Sequence, residues 1–204
     1  MFTGIVTAIG EISKAEQRGD LRLTINAPLD PDAIAIGASI ACSGVCLTVV
    51  ERGGTKGDAW FAVDVSAETI SCTTKDIWAA GAKLNIEPSL RVGDEIGGHI
   101  VTGHVDAVGE VVSAAPEGDS IRIDIRAPKA MAPFIAAKGS ITVQGVSLTV
   151  NAIADEADGS CIFTLNIIPH TGEVTTLGAL KAGSDVNLEI DVLARYLKRM
   201  QSLA

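Results

Sequence analysis

Three histidines, four cysteines and a scatter of serines and threonines are the side chains of this chain best suited to chemistry. His99 and His104 stand five apart in Gly97-Gly98-His99 and Gly103-His104. Read as a strand, that spacing points the two imidazoles to opposite faces, whereas a zinc pair needs a shared face. One imidazole is therefore expected to be structural and the other an acid/base group, because imidazole titrates near neutrality. The cysteines, at 42, 46, 72 and 161, form no C-x-x-C pair, which disfavours zinc and a disulfide framework. Cys42 and Cys46 read as four apart in one strand and so on one face. Cys42, Cys72 and Cys161 are expected to be small apolar core residues. Cys46 is singled out by what stands opposite it in the second half of the chain.

Residues 39–49 (SIACSGVCLTV) recur 101 positions later at 140–150 (SITVQGVSLTV), with seven of eleven positions identical. Thr3-Gly4-Ile5-Val6 answers Thr102-Gly103-His104-Val105, and residues 82–87 (AKLNIE) answer 183–189 (GSDVNLE). Glu68-Thr69 answers His170-Thr171. One module of about ninety residues is thus written twice, too long a period for a solenoid. Duplication creates two related pockets, so handling two similar molecules is the first function to weigh. The asymmetries between the copies are chemical: Cys46 faces Ser147 in the alignment, Phe2 faces Val101, Ile5 faces His104, and Ser89 faces Asp191.

These residues must be positioned by short runs rich in Val, Ile and Thr between Gly, Asp or Pro turns. Strands are expected over 4–13, 21–27, 39–50, 59–65 and 83–88, then over 103–113, 121–127, 140–152, 160–167 and 185–190. That spacing predicts an all-β fold of two tandem six-stranded antiparallel barrels. Short helices are expected over 30–36, 71–80, 129–136 and 173–180. Domain boundaries are placed at 1–92, 93–190 and 191–204, the last a helix without counterpart in the first half. Asp191 is its expected cap, with Leu193, Tyr196, Leu197, Met200 and Leu203 on one stripe and Arg195, Lys198 and Arg199 complementing the macrodipole. An isolated helix this short is marginal, so the stripe is expected to meet another subunit.

Composition narrows the partners. The 204 residues carry a formal charge of −9 with a pI near 4.7, and no Lys/Arg cluster precedes the last ten residues. Nucleic acid is excluded, because phosphate binding needs a positive footprint. The longest apolar run, 33–42, falls far short of the ~20 residues a bilayer span requires, so no membrane association is expected. The start reads as no signal peptide, and a cytoplasmic location is expected. Aromatic content of 3% against 47% hydrophobic residues leaves the cores to Val, Ile, Leu and Ala.

Taken together, Met1-Phe2-Thr3-Gly4-Ile5-Val6, Gly44-Val45-Cys46-Leu47-Thr48-Val49, Gly97-Gly98-His99 with Gly103-His104-Val105, Gly145-Val146-Ser147-Leu148-Thr149-Val150 and the ending Glu189-Ile190-Asp191-Val192-Leu193-Ala194-Arg195-Tyr196 resemble the riboflavin synthase alpha-chain family. The resemblance runs the whole length. One departure is Ser43, where many members place Asn, and a hairpin turn accepts either.

The resemblance implies Greek-key barrels in a homotrimer held by the C-terminal helices, with no metal or redox cofactor. It implies dismutation of two 6,7-dimethyl-8-ribityllumazine molecules, one donating a four-carbon unit to the other, to give riboflavin and 5-amino-6-(D-ribitylamino)uracil. The site would lie between the first barrel of one subunit and the second barrel of its neighbour. The substrate's C7 methyl is acidic because its carbanion delocalises into the ring; the acceptor loses that proton while a nucleophile attacks C7 of the donor. Holding both ligands together is worth ~7–11 kcal/mol.

Family positions carry over to Phe2, Ser39, Cys46 and His104 as catalytic residues. Ser39 and His104 would move protons or activate water, and Cys46 would contact the ring. Phe2 would sit at the pocket rim and shield the lumazine, its loss leaving folding nearly intact. Binding positions on the first barrel would be Leu47 and Thr48, Asp64, Val65, Ser66, Ala67, Glu68 and Thr69. The remainder would be Gly4, Ile5 and Val6, Gly103 and Val105, Lys138, Ser147, Leu148 and Thr149, Ile168, Pro169, His170 and Thr171, and Asp191. Association with lumazine synthase is left open. The competing function is a monomeric lumazine or flavin antenna protein of the kind found in luminous bacteria; beyond it lies a generic two-barrel binding module.

Overall fold

The computed structural model describes residues 1–201. The first barrel comprises β1 (Ala8–Arg18), β2 (Asp20–Ala27), β3 (Ser39–Cys42), β4 (Val45–Thr55), β5 (Asp58–Val65) and β6 (Lys83–Pro88). It closes in the order β1-β2-β5-β4-β3-β6, with every pair antiparallel. Alternation builds the wall: Val45, Leu47 and Val49 of β4 enter the core with Leu23, Ile25, Phe61 and Val63, while Thr48 faces out.

The second half repeats the strand order, as a sheet whose ladder stays open between its edge strands β10 and β11, with β7 (Ala107–Glu117), β8 (Ser120–Ala127), β9 (Ser140–Val143), β10 (Val146–Thr149), β11 (Ala152–Asp155), β12 (Cys161–Ile167) and β13 (Asp185–Ile190). Seven strands replace the expected six because β10 and β11 share the place of β4. A bulge between Val49 and Glu51 in the first barrel widens here into a break. At that break the Val150 N–H donates to the Gly139 carbonyl and the Asn151 N–H to the Thr164 carbonyl.

Several expected boundaries move. Strands expected from 4 and 103 begin instead at Ala8 and Ala107. The run 39–50 is a hairpin rather than one strand, because Ser43 (φ +46°) and Gly44 (φ +82°) form a two-residue turn; Gln144 (φ +49°) and Gly145 (φ +79°) do the same for 140–152. Cys42 and Cys46 therefore do not share a face: Cys42 is fully buried in the barrel core, and Cys46 pairs with Ala41 on the outer face. The expected helices shrink to 3-10 turns at Pro31–Ala33, Asp76–Trp78, Ala132–Phe134 and Thr176–Ala179. Before the second and fourth of these turns stand α1 (Ala67–Ser71) and α2 (Pro169–Val174). The terminal helix α3 (Val192–Gln201) is present, and the Asp191 carboxylate accepts the Leu193 N–H at 2.9 Å as expected of its cap. Leu203 of the expected stripe lies outside the described residues.

β6 and β13 bury both faces. Leu84 and Ile86 enter the first core, and Val186, Leu188 and Ile190 the second, yet Asn85, Glu87, Asn187 and Glu189 on the opposite faces are also buried. The other half of the chain covers the two asparagines, and the strap of its own half covers each glutamate. Asn85 Nδ2 donates to the Gln144 carbonyl and its Oδ1 accepts the Thr176 N–H; Asn187 Nδ2 donates to the Ser43 carbonyl and its Oδ1 accepts the Thr74 N–H. Matching residues make matching bonds in both directions, so the halves are related by an approximate two-fold axis.

The two hairpin turns meet on that axis. A β-carbon on Gly145 would lie 2.6 Å from the Gly44 nitrogen, and one on Gly44 2.8 Å from the Gly145 nitrogen. Gly145→Ala is expected to cost about 3 kcal/mol or more, combining left-handed strain with forced separation of the barrels. Gly118→Ala has the same strain (φ +62°) with nothing within 4 Å and should cost only about 1–2 kcal/mol. Equal midpoints in chemical denaturation for the two variants would show that the turn contact contributes nothing.

Candidate ligand sites at the two-fold axis

Outside the barrels, two straps cross: residues 1–7 ahead of β1 and 97–106 ahead of β7. They pair with each other at Phe2 and Val101, whose N–H groups donate to each other's carbonyls at 2.8 and 3.0 Å. The aligned positions Phe2 and Val101 are thus physical neighbours on the axis. Each strap then runs onto the other half's barrel. The Ser147 N–H donates to the Gly4 carbonyl at 2.8 Å, and the Cys46 N–H to the Gly103 carbonyl at 2.9 Å. Val6 packs on the second core and Val105 on the first.

A recess of about 220 Å³ opens where the second strap crosses the first barrel. Cys46, Glu68, Thr69, Gly103, His104 and Val105, all expected to bind ligand, line it together with Val45, Cys72 and Thr73. α1 supplies Glu68 and Thr69 because Ser66 caps it, its Oγ accepting the Thr69 N–H at 3.2 Å. Cys72 is not the core residue expected. It is exposed, with its thiol 3.6 Å from Glu68 Oε1. Cys42 and Cys161 are buried in the two cores, and burial pushes both thiols up, away from the reactive thiolate.

In the second barrel Gly4, Ile5 and Val6 of the first strap lie at Ser147, and α2 with Pro169, His170 and Thr171 occupies the place of α1. Ile168, Pro169 and His170 are exposed. The neighbours of the two nucleophiles differ. Phe2 packs with Ala41 and Val101 beside Cys46, whereas His99 binds the equivalent pair Thr142 and Ser147. Its Nδ1 lies 2.7 Å from Ser147 Oγ and its Nε2 3.2 Å from Thr142 Oγ1. Burial pushes the His99 imidazole down against the opposing pull of Asp191, which favours the neutral ring. A hydroxyl on a neutral imidazole can be polarised as a nucleophile or can activate water. The two histidines do separate, as expected, but not as opposite faces of a strand: 97–106 is a strap, and His99 serves the second barrel while exposed His104 serves the first.

Other expected site residues lie elsewhere or face elsewhere. Ser39 shares the outer face of the hairpin with Cys46 but lines a separate recess with Pro88, Ser89 and Arg91. Thr48 and Thr149 are exposed beside Ser39 and Ser140 in register. Leu47 and Val65 point into the first core, and Leu148 packs on the second. Asp64 is held by Arg22 on the barrel exterior, and Ala67 is exposed at the start of α1. Lys138 is exposed in a left-handed turn (φ +68°), and Asp191 is spent as the cap of α3. Phe2 is 1% exposed rather than at a rim. Arg195 binds Asp106 at 2.7 and 2.9 Å, a tether that its dipole role did not anticipate. Among the described residues no cluster of His, Cys, Asp or Glu is placed to hold a metal, and no helix is long and apolar enough to cross a membrane.

Four polar residues were not singled out from the sequence. Glu87 accepts the Thr3 N–H, the Thr3 hydroxyl and the Gly4 N–H at 2.7–2.9 Å. Glu189 accepts the Thr102 N–H and hydroxyl and the Gly103 and His104 N–H groups at 2.6–3.1 Å. Burial pushes both carboxyls up while these donors oppose it. The signal was the repeated Asn-Ile-Glu (85–87) and Asn-Leu-Glu (187–189), in which Asn and Glu recur at matching positions of otherwise apolar strands.

A family model described as the lumazine binding domain matches residues 3–89 and again 102–191. The chain is 48% identical to a riboflavin synthase of Brucella abortus (strain 2308) over 205 residues, covering 98% of each chain. It is 43% identical to a riboflavin synthase of Photobacterium phosphoreum over 202 residues, covering 98% of this chain and 88% of that one. Among solved structures it resembles LumP in complexes with riboflavin and with 6,7-dimethyl-8-(1'-D-ribityl) lumazine. The TM-scores are 0.76 and 0.75 at 29% and 28% identity, covering 93% of this chain and 99% of LumP in both cases.

Proposed function

The chain belongs to the riboflavin synthase family of paired lumazine-binding domains, and from that premise we propose that it converts two molecules of 6,7-dimethyl-8-ribityllumazine into riboflavin and 5-amino-6-(D-ribitylamino)uracil. The observation that carries this reading is the pair of strap crossings related by the two-fold axis, one over a recess at Cys46 and one over Ser147, each retaining its own nucleophilic side chain. Duplication supplies sites for two identical substrates, and divergence gives them different work. At the first barrel His104 moves the proton of the acceptor's C7 methyl, with Cys46 and Thr69 orienting the ring. At the second, Ser147 on His99 attacks C7 of the donor or activates the water that does. Ser39 assists from the adjoining recess.

Two ligands must meet for a four-carbon unit to pass between them. The apolar face of α3 supports a homotrimer in which the first barrel of one subunit meets the second barrel of the next: Leu193, Tyr196, Leu197 and Met200 are each 60–68% exposed. Four unpaired cysteines fit a reducing compartment, the cytoplasm.

Likeness to LumP favours a second reading, a carrier that binds lumazine or flavin without turnover. Incubation with 6,7-dimethyl-8-ribityllumazine separates the two. The enzyme is expected to consume two lumazines per riboflavin formed, over many turnovers, followed by absorption and chromatography. Binding that saturates at fixed stoichiometry with no riboflavin would overturn the synthase reading.

A further inference from the structure

Glu87 and Glu189 are 6% and 2% exposed, and neither lines the recess at Cys46; Glu87 borders a separate cavity of about 510 Å³ with Thr3, Ile5 and Arg91. Each nevertheless carries a whole strap. An ionised carboxylate is purely an acceptor, and every polar contact of both groups is with an N–H or O–H donor: three on Glu87 and four on Glu189. Glu87 stands in β6 of the first barrel, but the strap it grips delivers the Gly4 carbonyl to Ser147 of the second. Glu189 stands in β13 of the second barrel, but its strap delivers the Gly103 carbonyl to Cys46 of the first and places His104 there.

We propose that Glu87 and Glu189 are positioning residues that act in the opposite barrel: Glu189 holds its strap over Cys46, and Glu87 holds its strap over Ser147. The two sites of one chain are cross-wired through the axis. Glutamine breaks either grip, because its amide offers one acceptor oxygen and turns an NH₂ toward strap N–H groups, leaving buried donors unmatched.

Accessibility of the nucleophile reads this directly. In a Cys72→Ser background Cys46 is the one cysteine outside a core, Cys42 and Cys161 being 0% exposed. Glu189→Gln is expected to raise the rate at which an aromatic disulfide reagent labels Cys46 at least tenfold, and Glu87→Gln to change it less than twofold. With Cys46→Ser added and Ser147→Cys as reporter, the dependence reverses: Glu87→Gln accelerates labelling and Glu189→Gln does not. Faster labelling in the variant's own barrel, equal acceleration at both reporters, or none at either overturns the proposal. Should the glutamine variants fail to fold, Thr102→Val and Thr3→Val remove one grip each, the hydroxyl bonds of 2.6 and 2.8 Å, and must show the same crossed pattern in smaller degree. The consequence for turnover, a tenfold or greater loss in either glutamine variant, rests on the synthase reading. An inactive wild-type chain would sink that reading and leave the labelling test standing.

Discussion

Phe2→Ala is expected to lower the thermal midpoint by about 6–12 °C and to cut riboflavin formation at least ~10-fold. The second residue of a chain is normally frayed, and a substitution there harmless. Here the ring is 1% exposed among Ala41, Val101 and Cys46, and a β-carbon on Gly103 would lie 3.0 Å from its Cε2. Removing it leaves a cavity where both straps cross, and truncating a buried Phe costs about 3 kcal/mol or more. Because the cavity adjoins Cys46 and Gly103, stability and turnover fall together, unlike the sequence-level expectation of intact folding. Calorimetry beside steady-state kinetics checks this, with Phe2→Leu as the second arm. Leucine refills most of the volume and should restore most of the midpoint. An unchanged midpoint in Phe2→Ala would remove Phe2 from the core of the axis.

How far the sequence could be read depended on whether the information was local. The repeated SIACSGVCLTV and SITVQGVSLTV runs announce two copies of one unit, and alternation along them assigns Leu47 and Val49 inward and Thr48 outward. The Ser43-Gly44 turn was recognisable in type, yet counting Cys42 and Cys46 along one uninterrupted strand set them on the same face, where the hairpin divides them between core and surface. The helices expected over 71–80 and 173–180 begin earlier, at Ala67 and Pro169, and end where Thr73 and Thr175 turn their hydroxyls back to the carbonyls of Thr69 and Thr171, leaving only 3-10 turns over most of the expected ranges. What no local pattern shows is exchange. Periodicity says that Asn85 and Asn187 leave the barrel core, not that the other half covers them. The assignment of Gly4 to the second barrel and of Gly103 and His104 to the first follows only from the crossing of the straps.

Replacing Leu197 and Met200 together by Glu is expected to give monomers that still bind lumazine but form riboflavin at least ~100-fold more slowly, about 2.7 kcal/mol in the barrier. α3 is ten residues long, too short to persist alone in water, and within one chain its anchors include the Asp191 cap and the Arg195–Asp106 ion pair. Neither covers Leu193, Tyr196, Leu197 or Met200, whose 60–68% exposure leaves an apolar stripe in water. A charge at two of those positions forbids burial of the stripe against a second copy, at a cost of several kcal/mol per unpaired ion, while leaving cap and ion pair intact. The recess at Cys46 and the strap crossing at Ser147 are distant in sequence from the substituted positions, so fluorescence titration with lumazine should find affinity near that of the wild type. Turnover is different. Bringing donor and acceptor together is worth ~7–11 kcal/mol, and under the proposed trimer, whose site is shared between subunits, a monomer forfeits that alignment. Light scattering on the same samples gives the mass. Full turnover by a monomeric variant would place donor and acceptor within one chain and make the α3 interface irrelevant to the chemistry.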